Sequence, residues 1–255
     1  MGNTTINLST LDGTNGFQIN GIDAGDDSGY SVSSAGDVNG DGIDDIIIGA
    51  YRADQDDASH AGESYVVFGS DTRSASELDL SDLNGTNGFQ INGIDVSDYS
   101  GYSVSSAGDV NGDGIDDIII GAPYADQDDA SEAGESYVLF GSNTRSASEL
   151  DLSSLDSKNG FQINGIDAGD RSGESVSSAG DVNRDGIDDI IIGAWSANPD
   201  GNSFAGESYV VYGWANNDPT GSLIISGTQT QGSTLSLSNN ISDADGLGIF
   251  THQWF

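Results

Sequence analysis

Three short stretches of this chain place carboxylate and amide oxygens at alternate positions. In Asp37-x-Asn39-x-Asp41-Gly42-Ile43-x-Asp45, side-chain oxygens fall at loop positions 1, 3, 5 and 9, and Gly42 permits a sharp turn. The main-chain carbonyl of Ile43 can supply position 7. Alternate residues turning inward around a tight loop surround a hard cation with oxygen, and calcium takes six to eight such ligands at about 2.3–2.6 Å. The pattern returns as Asp109, Asn111, Asp113, Ile115 and Asp117, and again as Asp181, Asn183, Asp185, Ile187 and Asp189. Three calcium sites are expected. Magnesium suits these loops less, because it resists replacing its waters with protein oxygens.

The first five positions match an EF-hand loop, but position 12 is Ile48 instead of glutamate, and Asp45 leads straight into an apolar run. The loop therefore reads as a hairpin connection closed by Asp45. An ordinary Asn-Gly and Asp-Gly turn with solvated carboxylates would account for one copy. It does not account for ligand positions kept in three, including the copy where Arg184 stands in place of Gly40. Arg184 falls between ligand positions and should point outward. Asp44 and its copies Asp116 and Asp188 lie off the pattern and read as exposed charge.

The strands that must hold these loops repeat with them. Asp37, Asp109 and Asp181 recur at intervals of 72 residues, and residues 6–15 align with 78–87 at the same offset. Each unit runs through Gly-Phe-Gln-Ile-Asn-Gly-Ile-Asp (16–23, 88–95, 160–167), then Gly29-Tyr30-Ser31-Val32-Ser33-Ser34-Ala35 and its copies. The acidic loop, the triplet Ile46-Ile47-Ile48 and Glu63-Ser64-Tyr65-Val66-Val67-Phe68-Gly69 follow. No apolar pattern of period 3.6 persists for two turns, so four strands per unit and essentially no helix are expected. Strands apolar on both faces must be covered on both faces. Small four-stranded sheets stacked around an axis achieve this, with the Ser/Ala-rich strand at the crowded centre, which is the logic of an all-β propeller. A β-sandwich or solenoid is the alternative, though solenoid rungs are usually shorter than this period.

The units are expected at about 16–87, 88–159 and 160–214, within a repeat region of 1–214. Residues 215–221 read as a polar linker, and 222–255 carry an alternating strand, an Asp-Ala-Asp-Gly turn and the start of another strand. A chain ending mid-strand suggests a fragment.

Against 42 Asp and Glu stand 6 Lys and Arg, a net charge of −36. Such a surface repels nucleic acid and anionic membranes and attracts cations. No segment is apolar for long enough to span a bilayer. The chain has no cysteine, so disulfides and thiolate metal sites are excluded. The N-terminus lacks the basic and apolar regions of a signal peptide. His60 is replaced by Glu132 and Phe204 in the other units, and no Ser-His-Asp set or phosphate loop is present, so no enzyme is expected. The run Asp54-Gln55-Asp56-Asp57 reads as a solvated loop.

The stretch Gly-Tyr-Ser-Val-Ser-Ser-Ala-Gly-Asp-Val-Asn-Gly-Asp-Gly-Ile-Asp-Asp-Ile-Ile-Ile-Gly-Ala resembles the FG-GAP family, the repeats that build the propeller of integrin α chains. The resemblance covers roughly residues 11–214. It implies one blade per repeat, calcium in the hairpin between a blade's first two strands, and an adhesion or ligand-recognition role. It also implies that each Gly-Phe-Gln-Ile-Asn strand is the outer strand of the preceding blade. The strand at 16–22 would then lack a blade and the last blade would lack a strand. Further blades in a longer chain, or a head-to-tail homodimer in which each copy completes the other, would answer this. The tail resembles the start of a bacterial immunoglobulin-like repeat. An extracellular protein or glycan partner, at a bacterial surface or after secretion, is the expected setting. A lectin-like propeller and a structural calcium-binding spacer are the alternatives.

Overall fold

Each isoleucine triplet becomes the second strand of a sheet, paired antiparallel on both sides. The computed structural model describes residues 5–55, 58–127, 130–215, 223–226 and 236–239. In the first unit, β1 (Gln18–Asn20) is followed by β2 (Ser31–Gly36), β3 (Asp45–Ala50), β4 (Glu63–Val67) and β5 (Glu77–Asp79). The second unit supplies β6 (Gly88–Asn92), β7 (Ser103–Gly108), β8 (Asp117–Ala122), β9 (Glu135–Leu139) and β10 (Glu149–Asp151). The third supplies β11 (Gly160–Asn164), β12 (Ser175–Gly180), β13 (Asp189–Ala194) and β14 (Glu207–Val211).

The sheets run β2-β3-β4-β6-β10, β7-β8-β9-β11 and β12-β13-β14. They are propeller blades, and the propeller is not closed. The second and third Gly-Phe-Gln-Ile-Asn strands cross into the preceding sheet, β6 pairing with β4 and β11 with β9. The sheets thus carry five, four and three strands instead of a uniform four. The first gains β10, which adds in parallel beside β6. Among the described residues the third ends at β14, and β1 pairs only with β5, also in parallel. The three-residue strands β5 and β10 and the 3-10 turns that follow them, Leu80–Asp82 and Leu152–Ser154, are absent from the sequence reading. Glu-Leu-Asp is too short and polar to announce a strand.

Stacking demands small residues where sheets approach. The inner strand β2 packs against β7, and β7 against β12. A Cβ on Gly49 would lie 2.0 Å from the carbonyl oxygen of Gly101 in the next unit, so only glycine fits, and Gly121 meets Gly173 in the same way. Between the sheets lie Ile47, Val66, Val104, Ile118 and Ile120 at one junction and Ile119, Val138, Val176, Ile190 and Ile192 at the other. Where no sheet follows, the same side chains are bare: Ile119 is 0% exposed but Ile191 36%, and Val138 0% but Val210 48%.

Arg73 and Arg145, two of the six basic residues, serve the junctions between strands. Each donates from Nη2 to a carbonyl at 3.0 Å, of Phe68 and Phe140 respectively. Each guanidinium also lies over a phenylalanine of the outer-strand segment, Phe17 at 4.7 Å and Phe89 at 4.9 Å.

Residues 215–255 form a separate unit. In it Leu223–Ser226 (β15) pairs antiparallel with Ser236–Asn239 (β16), and the rest of the expected immunoglobulin-like segment lies outside the described residues. Among the described residues no helix is long and apolar enough to cross a membrane.

Candidate metal centres and the opposite loop face

The acidic loops connect β2 to β3, β7 to β8 and β12 to β13. Each begins at a bulge, where the register of the inner strand slips just before Gly36, Gly108 or Gly180. A bulge bends and twists the strand, and here it turns the chain into the loop. The position after Asn39 needs a left-handed backbone, and Gly40 (φ 71°), Gly112 (φ 72°) and Arg184 (φ 66°) all adopt it. Arg184 is exposed, and its amide donates to Asp181 Oδ1 at 2.6 Å.

Positions 1, 3 and 5 are drawn together by the loop's own amides. Asp37 Oδ1 accepts from the Asp41 amide at 3.0 Å and its Oδ2 from Gly42 at 2.8 Å. Asn39 Oδ1 accepts from Asp41 at 2.8 Å, and Asp41 Oδ1 from Ile43 at 2.9 Å. The same bonds recur about Asp109, Asn111 and Asp113 and about Asp181, Asn183 and Asp185. Among the described residues no three acidic or histidine side chains gather as a metal-holding group.

Position 9 has a structural task of its own. Asp45 is buried and its two oxygens accept from the amides of Val38, at 3.0 Å, and Gly69, at 2.7 Å, tying the loop to the end of β4. Asp117 and Asp189 do the same. Burial pushes the Asp45 carboxyl up to about 6 and Asp117 up to about 8, with the charges of the neighbouring loop aspartates adding to the shift. The donor set is all oxygen, and carboxylate oxygens that accept one amide keep a second lone pair, so its chemistry fits a hard cation.

Asp116 and Asp188, read from the sequence as exposed charge, prove to be clamps between sheets. Asp116 Oδ2 accepts from the Asp37 amide of the preceding unit at 2.9 Å, and Asp188 Oδ2 from that of Asp109 at 3.2 Å. The carboxyl lies flat on a glycine: a Cβ on Gly36 would be 2.3 Å from Asp116 Oδ2. The recurrence of this aspartate in all three units was the available signal. Its partner, one unit away, was not deducible from local spacing.

The FG-GAP repeat model matches residues 28–67, 100–139 and 172–211, which run from just ahead of each inner strand to the end of β4, β9 and β14. These are FG-GAP repeats. The chain is 31% identical to integrin alpha-PS2 of Drosophila melanogaster over 194 residues, covering 74% of this chain and 12% of that one. It is 33% identical to integrin alpha-5 of Xenopus laevis over 176 residues, 66% of this chain and 14% of that one. With human integrin alpha-8 the figures are 31% over 181 residues, 69% and 14%. The chain therefore spans about an eighth of the length of these curated relatives.

At the other end of the same strands, the FG-GAP units gather aromatic rings that the sequence reading passed over. Tyr30, ahead of β2, lies 4.7 Å from Tyr51, which follows β3, and 5.1 Å from Tyr102 of the next unit, ring centre to ring centre. Tyr51 also meets Tyr99, and Tyr99 meets Tyr124. The Tyr30 and Tyr102 hydroxyls are 3.1 Å apart. Arg171, paired with Glu132 at 2.8 Å, sits 4.5 Å over the Tyr124 ring. In the third unit Trp195 and Phe204 stack with centres 6.1 Å apart, both well exposed. The tyrosines come from four connections in two units, with only Tyr99 and Tyr102 sharing one, so no short motif reveals the cluster.

Proposed function

We propose that the chain is a non-enzymatic, calcium-binding module for adhesion or ligand recognition outside the cell, with an extracellular protein or glycan as partner. The observation that carries this reading is the threefold recurrence of one oxygen-rich loop with the same amide bonds in an FG-GAP unit. Asp37, Asn39, Asp41, the Ile43 carbonyl and Asp45 would hold one ion, and their copies in the other units two more. Calcium would supply the positive charge that offsets three carboxylates in each loop and so stiffen the hairpins. Loops would saturate at extracellular calcium, of order 10⁻³ M. Native mass spectrometry in calcium should show three ions per chain, with stepwise loss in Asp37→Ala, Asp109→Ala and Asp181→Ala. A chain that stays ion-free in saturating calcium would sink the proposal.

The tyrosine face favours a second reading, a lectin-like surface. Aromatic rings presented in a contiguous, partly exposed cluster suit the apolar faces of sugars. Glycan-array binding lost in Tyr30→Ala and Trp195→Ala but kept in Asp181→Ala would support it. Binding that ignores both aromatic changes would remove it.

A further inference from the structure

The first and third sheets each leave bare, on opposite faces, side chains and backbone groups that the internal junctions cover. On the trailing face of the third sheet, a Cβ on Gly180 would meet nothing within 4 Å, whereas Gly36 and Gly108 lie under Asp116 and Asp188. The missing aspartate stands at the leading edge: Asp44, the counterpart of Asp116 and Asp188, has no amide in front of it among the described residues. The amides of Ser142 and Trp214 reach back to the carbonyls of Val38 and Val110, at 2.8 and 2.9 Å. Ser70 and Val182 are the remaining members of that series, and among the described residues neither makes this bond. Val32 is 65% exposed on the leading face, but its copy Val104 is 5% exposed once a sheet precedes it.

The strands match as the side chains do. Among the described residues the third sheet has no outer strand beyond β14. β1 is an outer strand without inner ones, and between its segment and the first sheet lies an open cleft of about 660 Å³ lined by Leu8, Phe17, Ile19, Val32, Ile46 and Ile48. That cleft stands where the inner strands of a preceding blade belong. We propose that a second copy of this chain fills it, head to tail, its β12-β13-β14 sheet entering the cleft and taking β1 as its fourth strand. The two internal joints give the register. Val66 faces Phe89 and Ser64 faces Ile91, as Val138 faces Phe161 and Ser136 faces Ile163. Val210 of the second copy then faces Phe17 and its Ser208 faces Ile19, while Asp44 covers the second copy's Gly180 and accepts from its Asp181 amide. The occupant is a second copy because the chain itself carries both halves of an interface that it already makes twice.

Such a joint is heterologous, so it closes into a ring or continues as a filament. Both partners are strongly acidic, so association should tighten as salt screens their repulsion. The test is native mass spectrometry and light scattering of the whole chain in calcium and about 0.15 M salt, with circular dichroism to verify folding. Val32→Glu blocks one half of the joint and Val210→Glu the other, each at a side chain that an isolated copy leaves exposed. The wild type should form a discrete oligomer or a ladder. Each variant alone should be monomeric, with self-association at least tenfold weaker. An equimolar mixture of the two should give a dimer and stop there. Ile19→Cys and Ser208→Cys chains, mixed and oxidised in this cysteine-free background, should cross-link to each other. A wild type that stays monomeric at every concentration overturns the proposal. So does an oligomer that survives both substitutions.

Discussion

The second and third FG-GAP units share nearly the same strands but live in different surroundings. β8 and β13 both read Asp-Ile-Ile-Ile-Gly-Ala, yet β8 is buried throughout while β13 opens at Ile191 and Gly193. The flanking sheet, not the strand sequence, decides which isoleucine is core. A repeat of this kind has no hydrophobic centre of its own, and its stability is held at the junctions.

Truncating the same residue in the two units should expose this most sharply. Ile119→Ala should cost about 2–5 kcal/mol, the range for a fully buried aliphatic side chain. Ile191→Ala should cost well under half as much in a monomeric preparation, by urea unfolding. Equal costs would mean that the third sheet is covered in solution.

A second contrast is electrostatic. Asp98 is buried where the second unit's connecting loop packs, and burial pushes its carboxyl up to about 7, with Asp95, Glu135 and Asp126 adding repulsion. Its counterpart Asp170 is raised for the same first reason, facing Asp167 and Glu207. Because the folded value lies above the ordinary 3.8, the folded state keeps a proton that the unfolded chain has released. This contribution is complete below about pH 4 and is lost as pH rises through about 7. The rise from 3.8 to about 7 corresponds to at most on the order of 4 kcal/mol, less the part that solvent screens. Asp98→Asn should flatten that part of the stability–pH curve in denaturant titrations. An unchanged slope would place the group in water.

The smallest effect concerns the third loop, where Arg184 holds a left-handed backbone that glycine holds in the other two. Arg184→Gly should raise the melting stability by about 1 kcal/mol. Gly40→Arg in the first loop should lower it by a similar amount.

How much of this is legible in the sequence follows from the range of each interaction. The period, the strand chemistry and the alternating oxygens are local patterns, and they suffice for the blades and the loop residues. The pairing of β6 with β4 was reached only through family resemblance, since nothing within Gly-Phe-Gln-Ile-Asn says which sheet it joins. Asp116 and the tyrosine cluster are settled by contacts one unit away. Asp45 shows the opposite limit: its place in the loop is plain, but its grip on the Gly69 amide appears only in three dimensions.

The short parallel pairs β5-β1 and β10-β6 have a mechanical meaning. Tension along the chain draws the start of β6 and the end of β10 in opposite directions along their common axis. Parallel strands loaded in this way are sheared, so their backbone bonds resist together and do not unzip one by one. Each pair is a stitch that must fail before the 72-residue repeat beneath it can lengthen. One opened repeat would pay out roughly 240 Å of extended chain. A tether made of such units would hold its length under modest pull and then give way in steps.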